Sequence, residues 1–167
     1  DDGTMLSFTF IKEQDFMAWA HHDTQGLFKS VATVIEDVAI GFVNATYLVV
    51  EREVEGQTVK YIERMAERNF ASGVQDAWQV DSALQYTGEA GTSFIGAEHL
   101  GGLTVTGLAD GVIIPPFTMP DDGNFTLDTA ASLVTIGLSF TCQLQTLQLD
   151  LGEPTVQSKD KKISSVT

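Results

Sequence analysis

The chain has 167 residues, 43% hydrophobic and 19% charged, with a formal net charge of −14. The apolar share is enough for a packed core, so the charge does not by itself imply disorder, and no run of eighteen apolar residues offers a membrane-spanning helix. A single cysteine, Cys142, excludes an internal disulfide and reads as a small core residue.

The first 68 residues read as a run of antiparallel strands. Leu6, Phe8 and Phe10 alternate with Ser7 and Thr9, the period of a half-buried strand. Phe16 to His21 forms a second apolar segment, and His22-Asp23-Thr24-Gln25-Gly26 supplies turn chemistry after it. Leu27 to Ile35 is rich in β-branched residues and reads as a third strand, Thr46 to Val54 as a fourth. Glu55-Gly56-Gln57 is a tight hairpin connection to a fifth strand, Val59 to Met65. Five strands with short links predict a single meander, the unit of propeller blades and open sheets. The apolar stretch Asp37 to Val43 predicts an extra strand or a packed loop. Tyr61 to Phe70 is the one place where a helix competes with a strand, and the β-branched start at Val59 favours the strand.

A second unit begins near Asn69. Ala77 to Tyr86 predicts a strand containing Trp78 and Val80, followed by a stretch punctuated by Gly88, Gly91, Gly96, Gly101 and Gly102. Leu103 and Val105 alternate with Thr104 and Thr106, and Asp110-Gly111 is a strong turn signal. Pro115, Pro116 and Pro120 put Ile114 to Asp122 in a loop or on a sheet edge, because proline donates no ladder hydrogen bond. Asp122-Gly123-Asn124 turns again; Phe125 and Leu127 alternate after it, and Ser132 to Phe140 predicts a further strand. Leu147, Leu149 and Leu151 alternate with Gln148 and Asp150. The fold class expected is all-β: a propeller-blade-like antiparallel meander over residues 1–68, then a small barrel or sandwich-like unit over 69–152. Residues 153–167 are expected to return toward the first unit. The chain opens at Asp1-Asp2-Gly3 and stops at Ile163-Ser164-Ser165-Val166-Thr167, a strand cut short, so an excerpt of a longer protein is expected. An excerpt leaves strand edges open, and Leu6, Phe8 or the Ile163–Val166 end is expected to lack a strand partner within the chain.

Charge is distributed unevenly. From Asn69 to Ser158, 90 residues, there is no lysine or arginine but there are ten acids. A surface of one sign repels polyanions, and without Lys or Arg it lacks the usual route to phosphate contacts. Gripping DNA, RNA or an anionic membrane is therefore the least expected role of this half.

Candidate sites read mostly as structure. His21-His22-Asp23 offers metal ligands, but adjacent strand residues point to opposite faces, so structural or surface histidines are expected. Asp121 and Asp122 before Gly123 and Asn124 lack the alternate oxygen ligands and closing Glu of a calcium loop, leaving turn chemistry. His99, the serines and the acids show no Gly-x-Ser-x-Gly elbow, and Gly101-Gly102 and Gly107 make no phosphate loop. Trp19, Trp78, Tyr47, Tyr61 and Tyr86 read as core rather than as a sugar-binding face. Asn44-Ala45-Thr46 and Asn124-Phe125-Thr126 match the glycosylation sequon, which matters only in a eukaryotic secretory setting. No catalytic, cofactor-binding or metal-binding residues are assigned, and no enzyme is expected.

An ordered set of segments carries a family resemblance. It comprises Asp2 to Phe10, Ile11 to Trp19, His22 to Gly26, Phe28 to Ala32, Val59 to Met65 and Val80 to Leu84. It continues through Glu98-His99-Leu100-Gly101-Gly102, Leu108-Ala109-Asp110-Gly111, Val134 to Leu138 and Leu144 to Leu149. Across nearly the whole chain this order resembles the C-terminal half of the tail nozzle, or packaged-DNA stabilisation, proteins of short-tailed bacteriophages and prophages. The basic cluster that precedes the final strand in that family is reduced here to Lys159, Lys161 and Lys162. The resemblance implies a structural virion protein of the phage tail, with copies of itself in a ring extending the portal channel and retaining or passing DNA. Its implied partners are those copies and adjacent tail or portal-adaptor proteins, with no specific nucleic-acid binding, membrane insertion or cofactor. Two rivals are a receptor- or carbohydrate-binding β-module of a tail adhesin, which needs exposed aromatics in a groove, and a small hydrolase, which needs a convergent nucleophile or acid/base cluster.

Overall fold

A computed structural model describes residues 2–38, 41–67, 70 and 73–145. The described chain is all-β, with nine strands: β1 (Met5–Ile11), β2 (Phe16–His22), β3 (Leu27–Val38), β4 (Gly41–Val54), β5 (Gln57–Arg64), β6 (Asp81–Phe94), β7 (Thr104–Ala109), β8 (Val112–Thr118) and β9 (Phe125–Leu138). They form three antiparallel sheets: β1-β2, β3-β4-β5 and β6-β9-β7-β8. No helix among the described residues is long and apolar enough to cross a membrane.

Two features correct the expected single meander. The first five strands split into a two-stranded ribbon and a three-stranded sheet, joined at the base where the Phe28 amide donates to the Gly3 carbonyl. Neither sheet is a four-stranded blade. Among the described residues the second unit is one open four-stranded sheet that does not close into a barrel. The Asp37–Val43 stretch adds no strand: β3 runs to Val38 and β4 starts at Gly41, so its described residues are the distal end of one long hairpin. Leu6 and Phe8 do have partners, His21 and Trp19 across the ribbon. The Ile163–Val166 end and the Leu147–Leu151 alternation lie outside the described residues.

Local chemistry explains the turns. Glu55 and Gly56 both take left-handed conformations (φ 50° and 72°), as do Asp110 and Gly111 (φ 48° and 84°). Two left-handed residues in a row give the twist that closes β4–β5 and β7–β8 as two-residue hairpins. The carboxylate of Asp110 reaches back to accept the backbone amides of Ser132 and Leu133, fixing this hairpin to β9. Those amides hold the Asp110 carboxyl below the ordinary aspartate range. β8 lies on the sheet edge, as its prolines require. Its register against β7 slips between the Val105↔Phe117 and Gly107↔Ile114 pairs, so Pro115 and Pro116 fall where no ladder amide is needed.

The main hydrophobic core belongs to the second unit. Leu100, Val105, Met119, Val134, Ile136 and Leu138 are almost fully buried there. Phe94 and Phe125 stack at 5.3 Å, with Tyr86 against the edge of Phe94 and Phe117 against Phe125. Central β9 is buried on both faces from Val134 to Leu138. In the first unit the inner face is the even run of β4: Leu48, Val50, Arg52 and Val54 are all buried.

The expected placement of the aromatics in the core is corrected. Trp19 is 71% and Trp78 39% exposed, and Tyr86 is exposed as well. The core is filled instead by aliphatic residues and the Phe94–Phe125 pair, while nothing among the described residues covers the outer face of the ribbon. Cys142, expected inside, is exposed because it follows the end of β9.

Candidate functional site

An open cleft of about 1120 Å³ lies where the ribbon base, the β3-β4-β5 sheet and the start of β6 meet. Thr24, Glu63 and Asp81 line it, and all three belong to a network around Arg52, which is buried behind them. The guanidinium lies at a core position of β4, where alternation with Leu48, Val50 and Val54 turns it inward. Glu63 of β5 holds it through two parallel bonds, Nε to Oε1 at 2.8 Å and Nη2 to Oε2 at 2.9 Å. The remaining nitrogen donates to the Gln25 carbonyl (2.7 Å) and the Thr24 hydroxyl oxygen (3.0 Å). Thr24 in turn donates to Asp81 at 2.8 Å, at the first residue of β6. The β2–β3 turn, β4, β5 and β6 are thereby joined through one buried cation.

Further contacts tie the two units together. Gln25 donates to the Ser139 carbonyl (2.8 Å), and the His99 ring meets Tyr61 edge-on. His99 Nε2 lies 2.9 Å from the Ser82 carbonyl oxygen, and Ser82 holds a left-handed backbone (φ 50°). Serine, histidine and aspartate do gather here, but the imidazole engages the serine backbone and the aspartate engages Thr24. His22 pairs with the Ser7 hydroxyl at 2.8 Å across the ribbon, while His21 projects from the opposite face. Asp122 accepts from both the backbone and the side chain of Asn124, closing its own turn. Among the described residues no three His, Cys, Asp or Glu side chains converge as metal ligands.

Burial pushes the Asp81 carboxyl above the ordinary aspartate range; the Thr24 hydroxyl and the Arg52 charge pull it back only in part. A raised carboxyl holds more protons in the folded than in the unfolded chain between the unfolded and folded pKa values. Its contribution therefore weakens the fold as pH rises through that window. Asp81→Asn abolishes the titration and still offers Thr24 an acceptor. The stability of this variant relative to the parent is expected to improve as pH is raised from the ordinary aspartate range to neutrality. Chemical unfolding at both ends of that range measures it, and a gap that does not change with pH would refute the assignment.

The outer face of the β3-β4-β5 sheet carries two cross-strand charge ladders. Glu51 lies between Lys29 (3.0 Å) and Lys60 (3.7 Å), and Glu36 accepts from Arg64 (2.9 Å) and Tyr47. Hydrogen bonds from Arg64 and Tyr47 hold the Glu36 carboxyl below its usual range, and Lys29 does the same to Glu51. Each such exposed pair contributes little stability. Their consequence is electrostatic: among the described residues Arg52 and Arg64 each pair with a glutamate and Lys29 and Lys60 share Glu51, leaving Lys12 outside these pairs.

The Arg52–Glu63–Thr24–Asp81 network was missed by sequence reasoning. The one available signal was a cation at a position of β4 whose alternation demands an apolar residue. No family model matches the chain, and no curated protein matches it.

Proposed function

We propose that this chain is a structural component of a bacteriophage tail, a nozzle or tail-tube subunit that assembles with copies of itself around a channel through which DNA is retained or passed. The observation that carries this reading is the charge of the second unit. Its described residues 73–145 hold Asp76, Asp81, Glu89, Glu98, Asp110, Asp121, Asp122 and Asp128 and no lysine or arginine. The cations of the first unit are mostly held by glutamates, so little positive charge is left to attract phosphate. A wall of this kind lets a polyanion slide without sticking. The clasp at Arg52 suits a mechanical part, because it locks the two units by charge and hydrogen bonds. Ring copies would bring in further strands and faces to cover what one chain leaves open.

Gold-labelled antibody against the chain, applied to purified particles from its source, should decorate the tail in electron micrographs. Label confined to material outside particles would reject the assignment. A receptor- or carbohydrate-binding module of a tail adhesin is the second reading, favoured by the exposure of Trp19 beside Phe8, with rings 4.7 Å apart. Label at the distal tip together with retention on a glycan array would favour it over the nozzle.

A further inference from the structure

We propose that the apolar face of the β1–β2 ribbon is covered by the distal face of the β3–β4 hairpin of a second copy of this chain, in a head-to-tail contact. The inference rests on the reading of the chain as an assembly subunit and names the surfaces that would join.

Register builds the first surface. Leu6 lies opposite His21, Phe8 opposite Trp19 and Phe10 opposite Met17. Side chains alternate with a period of two, so these six residues share one face of the ribbon. No lysine, arginine, aspartate or glutamate is among them. Leu6, Phe8, Phe10, Met17 and Trp19 are each between 48% and 71% exposed. Phe8 contacts Trp19 and stacks on Phe10 at 6.4 Å, so the rings form a continuous surface. Fully buried aromatics remove about 150–250 Å² each. The exposed fractions of Phe8, Phe10 and Trp19 alone thus sum to roughly 350 Å², to which Leu6 and Met17 add, against the ~800 Å² per partner of a standard interface. The middle of the opposite face is small and polar, with Ser7, Thr9, Ala18 and Ala20, while Ile11 and Phe16 are exposed at its far end. A two-stranded ribbon is marginal by itself, so a layer packed on its apolar face is the missing source of stability.

The chain itself supplies a surface of matching kind. On β3–β4, the pairs Val31↔Leu48, Ile35↔Asn44 and Asp37↔Phe42 place Val31, Ile35 and Phe42 on one face. They are 58%, 72% and 78% exposed, and Asp37 is the only acid among these pairs. Two sheet faces pack about 10 Å apart when their side chains interdigitate. At a net charge of −14, copies repel over most of their surface, so contact is least opposed where acids are sparse. A ribbon-to-ribbon contact would be isologous and leave Val31, Ile35 and Phe42 wet in both copies. A head-to-tail contact covers both faces of every copy, and repetition of a heterologous contact generates a ring or a filament.

The test uses the 167-residue chain with Cys142→Ser to remove the native thiol. Two versions, one with Trp19→Cys and one with Ile35→Cys, are mixed and oxidised with oxidised glutathione. The mixed disulfide between them is expected to exceed either self-linked species at least tenfold on a non-reducing gel. A second pair, Met17→Cys with Val31→Cys, guards against one variant failing to fold. Dominant Trp19-to-Trp19 linkage would overturn the proposal, as would oligomers in which neither mixed pair links. So would a parent chain that stays monomeric at every concentration in sedimentation, whether or not Trp19 binds a glycan. The antibody label on intact particles decides the tail reading separately, so a failed cross-link with a labelled tail removes only the interface.

Discussion

Replacing Glu63 by glutamine is expected to destabilise the protein by about 3 kcal/mol, because it leaves the Arg52 guanidinium buried without its counter-charge. The Arg52 side chain is 1% exposed and that of Glu63 20%, so solvent cannot take over the lost carboxylate's role. Two of the guanidinium's bonds go to Glu63, and the other two go to neutral oxygens of Thr24 and Gln25. Asp81 reaches the guanidinium only through the Thr24 hydroxyl, so it does not replace the lost direct contacts. A fall of at least ~1 M in the urea midpoint is the expected readout. The double variant Arg52→Met, Glu63→Leu should recover most of that loss, since an apolar pair of similar bulk removes both desolvation costs at once. If the single and double variants unfold at the same midpoint, the ion pair is not what holds these strands together.

Gly107→Ala is expected to cost more than about 4 kcal/mol, at the upper end for a single substitution. Gly107 lies opposite Ile136 in the β7–β9 ladder. A β-carbon built there would land on the Thr135 carbonyl oxygen and 2.9 Å from the Ile136 α-carbon. These are backbone atoms of the central strand, so nothing can swing aside and β7 must move away from the core it closes. Gly91→Ala is the control: the nearest atom to its new methyl is 3.9 Å away and its backbone is not left-handed. It should be neutral or slightly stabilising through the loss of glycine's freedom in the unfolded chain. Thermal unfolding should separate the two by at least about 10 °C. Equal melting temperatures would mean that β7 and β9 do not approach as closely as this register requires.

The two-residue turns at Glu55-Gly56 and Asp110-Gly111 were legible because their cause is local: a glycine beside an acid that tolerates the left-handed region. The strand from Leu6 to Phe10 was equally legible from its period of two, and Pro115-Pro116 announced an edge because proline has no amide to offer. Other elements misled for physical reasons. The glycines at 88 and 91 read as breaks, yet β6 passes through both and absorbs them as register shifts against β9 between Thr87 and Ser93. The strand expected from Ala77 begins only at Asp81, where the contacts to Thr24 and His99 anchor the chain. No alternation can reveal such anchors, because their partners lie 17 and 57 residues away.

The sequence by itself determined the all-β character, the hairpin turns and the one-sided charge of the second half, since each arises from neighbouring residues or plain composition. Only the tertiary structure decided how strands group into sheets, that Arg52 sits inside a clasp of Glu63, Thr24 and Asp81, and that Trp19 faces outward. Those depend on which distant segments come together: a strand's alternation says that one face is apolar, but not whether anything in the same chain exists to cover it.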